Sequence, residues 1–366
     1  MAMTRNARRF KLSTVVVGVL IALAVHSPAA GVTTPIKVTL EDGVLRVLGG
    51  PQDDHPTIYV TAFPADRPPR VVVDELGRDF VTSAPCVTVG TSSRVECPLK
   101  AVTEVIVETG DGNDSINHRT DFPARLVAGS GSDTVNGSAS PEWIDLGPGD
   151  DVAQVLGGTD DVVGGPGNDR VTYGAIADLE IRLDDLANDG AAGENSNIHS
   201  DVENLTGGQG SDLLVGSAAP NRMDGGPGND KLLALDGDDI LIGDAGADVM
   251  SGGPGIDAAH YMLRYTPLSL SIDNVANDGA PGEKDDIRAD VENLLGGVAA
   301  DTLIGSDSAN DLDGSSGDDL IEGRGGDDVL RGGAGNDILI GDAGFDTGLG
   351  DAGTDTCKVE KQSGCP

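Results

Sequence analysis

A nine-residue phrase recurs along this chain and limits what it can fold into. It is cleanest at Gly332–Ile340, GGAGNDILI, and returns as GGPGNDRVT at Gly164–Thr172, GGQGSDLLV at Gly207–Val215 and GGPGNDKLL at Gly225–Leu233. The pattern is Gly, Gly, any, Gly, any, Asp, any, apolar, any. Glycine accepts positive φ and close backbone approach. Places one, two and four therefore suit a tight turn whose carbonyls can point at a cation. Places seven to nine suit a short strand, with the place-eight side chain directed to one side because strand side chains alternate. A fixed period of this kind marks a repeat architecture.

The Asp at place six adds a carboxylate to those carbonyls, and several oxygens of these two kinds form the ligand set that calcium prefers. The phrase resembles the nonapeptide of the RTX (repeats-in-toxin, hemolysin-type) calcium-binding proteins. That resemblance implies an all-β chain, a calcium-loaded parallel β-roll (β-solenoid) with a small β-rich N-terminal cap. Two nonapeptides would make one turn, with Ca2+ between turns and the apolar residues inside. At place six it implies Asp114, Asp133, Asp151, Asp160, Asp169, Asp212, Asp230, Asp239, Asp248, Asp257, Asp301, Asp319, Asp328, Asp337, Asp346 and Asp355 as ligands. At place four it implies Gly167, Gly210, Gly228, Gly237, Gly246, Gly317, Gly326 and Gly335. Glu142, Asn221 and Asn310 replace Asp in units that lack the second and fourth glycines, and calcium should bind poorly there.

Charge and composition support the same reading. The formal net charge is −37, from 61 acids against 24 bases. A charge of that sign argues against nucleic acid and anionic membrane as partners and for bound cations, since carboxylates at this density oppose compaction. Aromatic residues make up 3%, too few for an ordinary large core, and Gly numbers 54. Such a composition without a period reads as disordered. The period argues for metal-dependent order.

Residues 1–30 read as a secretory signal peptide, with a basic stretch at Arg5–Lys11, an apolar run at Leu12–Val25 and a small-x-small site at Ser27-Pro28-Ala29. The run is short for a membrane span, so the expected product is secreted and extracellular, with no membrane insertion after cleavage. Residues 31–108 read as the β-rich cap, with strands near Ile36–Leu40, Val44–Leu48, Thr57–Ala62, Val71–Val73 and Val102–Glu108. Repeat blocks follow at 109–172, 198–260 and 287–358, with His118–Val127 out of frame in the first. Insert loops fall at 173–197 and 261–286, and a tail at 359–366. In a secreted chain the four cysteines should pair, Cys86 with Cys97 in the cap and Cys357 with Cys365 as a C-terminal clasp.

A longer duplication relates Leu179–His260 to Leu268–Leu349 at a constant offset of 89. Asn188-Asp189-Gly190 matches Asn277-Asp278-Gly279, and Glu194 matches Glu283. These inserts read as side loops, with a separate ion site as the alternative. None of the five histidines forms HExxH, and no G-x-S-x-G elbow occurs. The sequence thus points to a non-catalytic calcium-binding β-roll that folds on calcium outside the cell, in a structural or interaction role. A polysaccharide-acting β-solenoid enzyme and a surface adhesin, each with structural calcium, are the alternatives. No protein or glycan partner is specified by the sequence.

Overall fold

Each nonapeptide folds as a turn followed by a three-residue strand, as at Lys231–Leu233, Ile240–Ile242 and Val249–Ser251. The computed structural model describes residues 34–61, 68–75, 77–90 and 93–365, and the signal-peptide stretch 1–30 lies outside them. Consecutive strands fall in different sheets, and each pairs in parallel with the strand two units away. Lys231–Leu233 lies between Leu213–Val215 and Val249–Ser251, and Ile240–Ile242 lies between Arg222–Asp224 and Ala258–His260. One turn is therefore 18 residues, the step from Leu213 to Lys231 and from Lys231 to Val249. The fold is all-β, a parallel β-roll. The one helical element among the described residues is a 3-10 turn at Leu99–Ala101, and no helix there is long and apolar enough to cross a membrane.

The core follows from place eight. Leu214, Leu232 and Met250 from one face meet Met223, Leu241 and Ala259 from the other, all fully buried. One inward side chain per three-residue strand leaves little apolar area per turn. Burial alone therefore stabilises the roll weakly, and the turns must contribute the rest.

The two faces differ. One is continuous, with parallel pairing carried from Thr57–Thr61 to Lys361–Ser363. The other is broken into three sheets. The first ends at Asn197–Ile198, the second runs from Leu179–Arg182 to Asp286–Ile287, and the third runs from Ser269–Ser271 to Thr356–Lys358. The breaks coincide with the inserts. In the first insert, Leu179–Arg182 starts the second sheet against Leu213–Val215. The chain then folds back antiparallel through Gly190–Ala191, and Asn197–Ile198 completes the first sheet against Asp161–Val163. The inserts are thus built into the wall of the roll, a different arrangement from side loops.

A buried carboxylate closes each break. Asp189 Oδ1 accepts the N–H of Arg182 and its Oδ2 that of Ile198, both at 2.7 Å, so one side chain bridges the two sheets. Asp278 does the same for Ser271 and Ile287. These are the Asp residues of the duplicated Asn-Asp-Gly triplets.

The roll also begins earlier than Thr109. Gly49–Thr57 reads GGPQDDHPT, and the strand that follows, Thr57–Thr61, pairs in parallel with Ser115–Arg119. Antiparallel strands cover this end. Ile36–Glu41 pairs with Val44–Leu48, and Arg70–Asp74 lies between Thr57–Thr61 and Arg94–Pro98. His118–Val127 does not interrupt the stack. Ala124–Ser130 pairs with Glu104–Asp111 and Glu142–Asp145, and one extra residue is absorbed in the step from Val105 to Ala124. The cysteines pair as Cys86–Cys97 and Cys357–Cys365.

Candidate metal centre

Stacking at an 18-residue period places each place-six Asp beside its counterpart one turn on. The backbone N–H of one Asp donates to Oδ1 of the next. Asp212 donates to Asp230 at 2.7 Å, Asp230 to Asp248 at 2.8 Å, Asp301 to Asp319 at 2.7 Å, Asp319 to Asp337 at 2.9 Å and Asp337 to Asp355 at 2.9 Å. The same bonds join Asp133, Asp151 and Asp169, Asp239 and Asp257, and Asp328 and Asp346. The result is a ladder of carboxylates along each edge of the roll.

Most of these carboxylates use only one oxygen. The second, Oδ2, is buried with no hydrogen-bond partner in Asp114, Asp133, Asp151, Asp160, Asp169, Asp230, Asp239, Asp248, Asp257, Asp319, Asp328, Asp337, Asp346 and Asp355. A buried charged oxygen left alone costs several kcal/mol. Fourteen such atoms at one repeat place form a pattern, and the pattern asks for a cation. Burial pushes several of these acids up from their ordinary value, and neighbouring carboxylates add to the effect. Asp151, Asp230, Asp239 and Asp328 rise to about 6, Asp319 and Asp169 to about 7, and Asp160 and Asp248 to about 8.

The glycines supply the other half. A Cβ on Gly167, Gly228, Gly246 or Gly335 would be driven into the carbonyl of the place-four glycine one turn back, as Gly335 would meet that of Gly317. Gly210, Gly237, Gly317 and Gly326 close likewise on the backbone at Ala177, Ala219, Ala299 and Ser308. Place two takes positive φ, at Gly165, Gly226, Gly253 and Gly333, and also at Leu235, Asp244, Ser315, Arg324, Asp342 and Asp351. The backbone is thus wound so that carbonyls and carboxylates crowd together once per nonapeptide. No three His, Cys, Asp or Glu side chains converge as a cation cage among the described residues. That accords with a shell filled mainly by carbonyls, which suits calcium.

Two of the sixteen Asp residues depart from the rest. Asp212 and Asp301 each accept a backbone N–H on Oδ2, from Gly208 and Gly297 at 2.7 Å. Both lie in the second unit after an insert, and both carboxylates are satisfied by the chain itself. Asn221 and Asn310 are satisfied too, accepting from Ser217 and Ser306 and donating to the carbonyls of Glu203 and Glu292. Glu142 Oε1 accepts from the Ser138 N–H and bonds His118 Nδ1 at 2.6 Å, a pair with no exposed side-chain surface. Trp143 stacks under Arg125, with the guanidinium carbon 4.6 Å from the ring centroid, and Tyr261 is buried on Asp285.

Several rungs lie outside the place-six Asp set. Asp54 heads the ladder, donating its N–H to Asp114 Oδ1 and pairing with Arg78 at 2.6 Å. Gln52 at place four and Pro56 at place eight disguise that unit, although its Gly-Gly and Asp keep their spacing. Glu203, Glu292 and Glu360 end ladder segments by accepting from Asp169, Asp257 and Asp346. Asp285, in the second insert, accepts from Asp248, whereas Ser196 takes that place in the first. A second, exposed ladder runs along place five. Asp150, Asp238, Asp318 and Asp327 accept the N–H of Asn168, Ile256, Asn336 and Phe345, and Asp178 accepts that of Ser211.

Stacked glycine turns, a single file of aliphatic residues from each face and a ladder of half-used carboxylates define a metal-binding parallel β-roll. The model of the RTX calcium-binding nonapeptide repeat (4 copies) matches at residues 123–153, 137–171, 206–240, 224–258, 289–321, 313–348 and 322–357. The chain is an RTX calcium-binding repeat protein. Comparison with the curated proteins gives no match.

Proposed function

We propose that this chain is exported through its N-terminal segment and folds outside the cell on binding calcium, to serve as a non-catalytic structural or interaction module. The observation that carries this reading is the set of buried, unpartnered Oδ2 atoms. Inside a cell, where calcium is scarce, those carboxylates repel one another and hold the chain open for export. Outside, millimolar calcium meets sites whose affinity in extracellular modules is typically about 10⁻⁴–10⁻³ M. An ion held by the Oδ2 atoms and the turn carbonyls supplies the missing positive charge. Binding to the folded state alone then becomes folding free energy. The two cysteine pairs suit an oxidising compartment.

The basic stretch Arg5–Lys11 and the apolar run Leu12–Val25 support export. Absence of His motifs for metalloprotease chemistry supports a non-catalytic role, as does the use of the paired acids in two backbone-binding ladders. Recovery of the chain from the medium of a secreting host, with its N-terminus mapped near Ala30, tests export; retention of residues 1–29 in the recovered chain would count against it. Screening neutral and anionic glycans tests the catalytic alternative. Turnover abolished by an Asp substitution outside place six would favour an enzyme.

A further inference from the structure

The two duplicated inserts share their backbone and differ in several charged residues, one of which bears on a carboxylate common to both. In the second, Arg264 reaches back across the insert. Its guanidinium pairs with Glu283 and donates to the carbonyl of Asp244, a place-two residue of the wall. Glu283 Oε2 accepts the N–H of Ala280, so both oxygens of that carboxylate are used. In the first insert Glu194 holds the same position. Its Oε2 accepts the N–H of Ala191 at 2.8 Å, as Glu283 does from Ala280. Its Oε1 is buried with no partner. The residue equivalent to Arg264 is Ala175. The carbonyl of Ala175 accepts from Gln209, and that of Arg264 accepts from Val298, at the same offset of 89.

The neighbours of Glu194 make the gap sharper. The Thr159 hydroxyl donates to the Glu194 carbonyl at 2.9 Å and pins the insert over the Thr159–Asp160 turn. Gly190 has a φ of +97°, and a Cβ there would meet the Glu194 carboxyl at 2.7 Å, so the side chain is folded tightly over the glycine. Asp160 is 1% exposed, and its Oδ2 has no partner. In the second insert the rung above Asp248 is Asp285; in the first, the rung above Asp160 is Ser196. The chain also fills a carboxylate site with its own guanidinium at its first turn, where Arg78 pairs with Asp54.

We propose that the first insert binds one divalent cation of the calcium class between Asp160 and Glu194, where the second insert uses Arg264 as a built-in cation. This rests on the calcium-roll reading and adds to the place-six Asp160 a ligand, Glu194, that the nonapeptide does not encode. Two carboxylates with backbone carbonyls and water suffice for calcium, which needs no three-carboxylate cage. The guanidinium, permanently charged, takes the Glu283 oxygen whose counterpart on Glu194 is left without a partner.

Native mass spectrometry of the full mature chain in calcium tests the assignment. Glu194→Gln should hold one calcium fewer than wild type, Glu283→Gln should hold the wild-type number, and Arg264→Ala should gain one. An unchanged count in Glu194→Gln overturns the proposal. Should Glu194→Gln fail to fold by circular dichroism, Arg264→Ala decides alone, a gain of one ion supporting the site and an unchanged count overturning it. A wild-type chain that held no calcium would overturn the calcium-roll reading as well. Unchanged variants of a calcium-loaded wild type overturn the insert site alone.

Discussion

The backbone N–H of Asp319 donates to Oδ1 of Asp337 across 2.9 Å, while Oδ2 of the same Asp337 carboxylate is buried with no partner. One oxygen builds the roll, and on the proposed reading the other binds calcium. Asp337→Asn separates the two. It keeps an oxygen for Asp319 and removes the charge that binds calcium. At calcium near ten times the dissociation constant, one lost site costs about 1.4 kcal/mol. The variant should therefore melt lower than wild type at saturating calcium, by a margin that narrows as calcium is lowered. Asp212→Asn should cost less in calcium, because Oδ2 of Asp212 is already engaged by Gly208. Differential scanning calorimetry over a series of calcium concentrations checks both.

Gly335→Ala should destabilise the roll whether or not calcium is abundant. Its Cβ would enter the space of the Gly317 carbonyl, and its φ is +156°. Strain on this scale in a closely packed stack costs about 1–3 kcal/mol. Excess calcium should not restore the wild-type melting temperature.

Leu235 stands at place two in the left-handed conformation that glycine adopts most readily, with a φ of +79°. The left-handed region costs a non-glycine residue roughly 1–2 kcal/mol. Leu235 is also about half exposed, so little packing is lost on truncation. Leu235→Gly should raise stability by about 0.5–1 kcal/mol, allowing for the greater chain entropy of glycine. Denaturant titration in calcium measures it.

Acidity should act in opposite directions on the metal-free and calcium-bound chain. Burial first, then neighbouring acids, raises Asp230, Asp239 and Asp328 from an ordinary value of 3.8 to about 6, and Asp319 to about 7. A raised value in the folded state means that the fold prefers the protonated acid. The metal-free roll is thus helped most below about pH 4, and it loses that help as pH rises through 6 to 7. In chelator, β structure should increase between pH 8 and pH 5. Calcium affinity should fall over the same interval, about tenfold per ligand of pKa 6 at pH 5, because protons compete for the carboxylates. Circular dichroism and calcium titration at the two pH values test the pair.

Much of the calcium ladder is legible in the sequence because the spacing is rigid. From Asp133 on, a place-six Asp within a block meets its neighbour at a separation of 18 residues, and the glycines keep that distance. Where distance along the chain varies, the reading fails. Asp189 and Asp278 bridge sheets only because each insert doubles back, and no local pattern announces that excursion. Glu194 and Arg264 become comparable only through the same fold. The first turn at Gly49–Thr57 escapes notice because Gln52 replaces a glycine. The selective role of Asp212 and Asp301 depends on where the Gly208 and Gly297 N–H groups point, which the motif leaves open.

The far-UV circular dichroism spectrum of the mature chain, recorded in chelator and again after calcium is added, tests the central claim most directly. The ladder of unpartnered carboxylates predicts a largely unstructured chain in chelator and a β spectrum that appears on addition of calcium. A β spectrum of equal strength in chelator at neutral pH would contradict it.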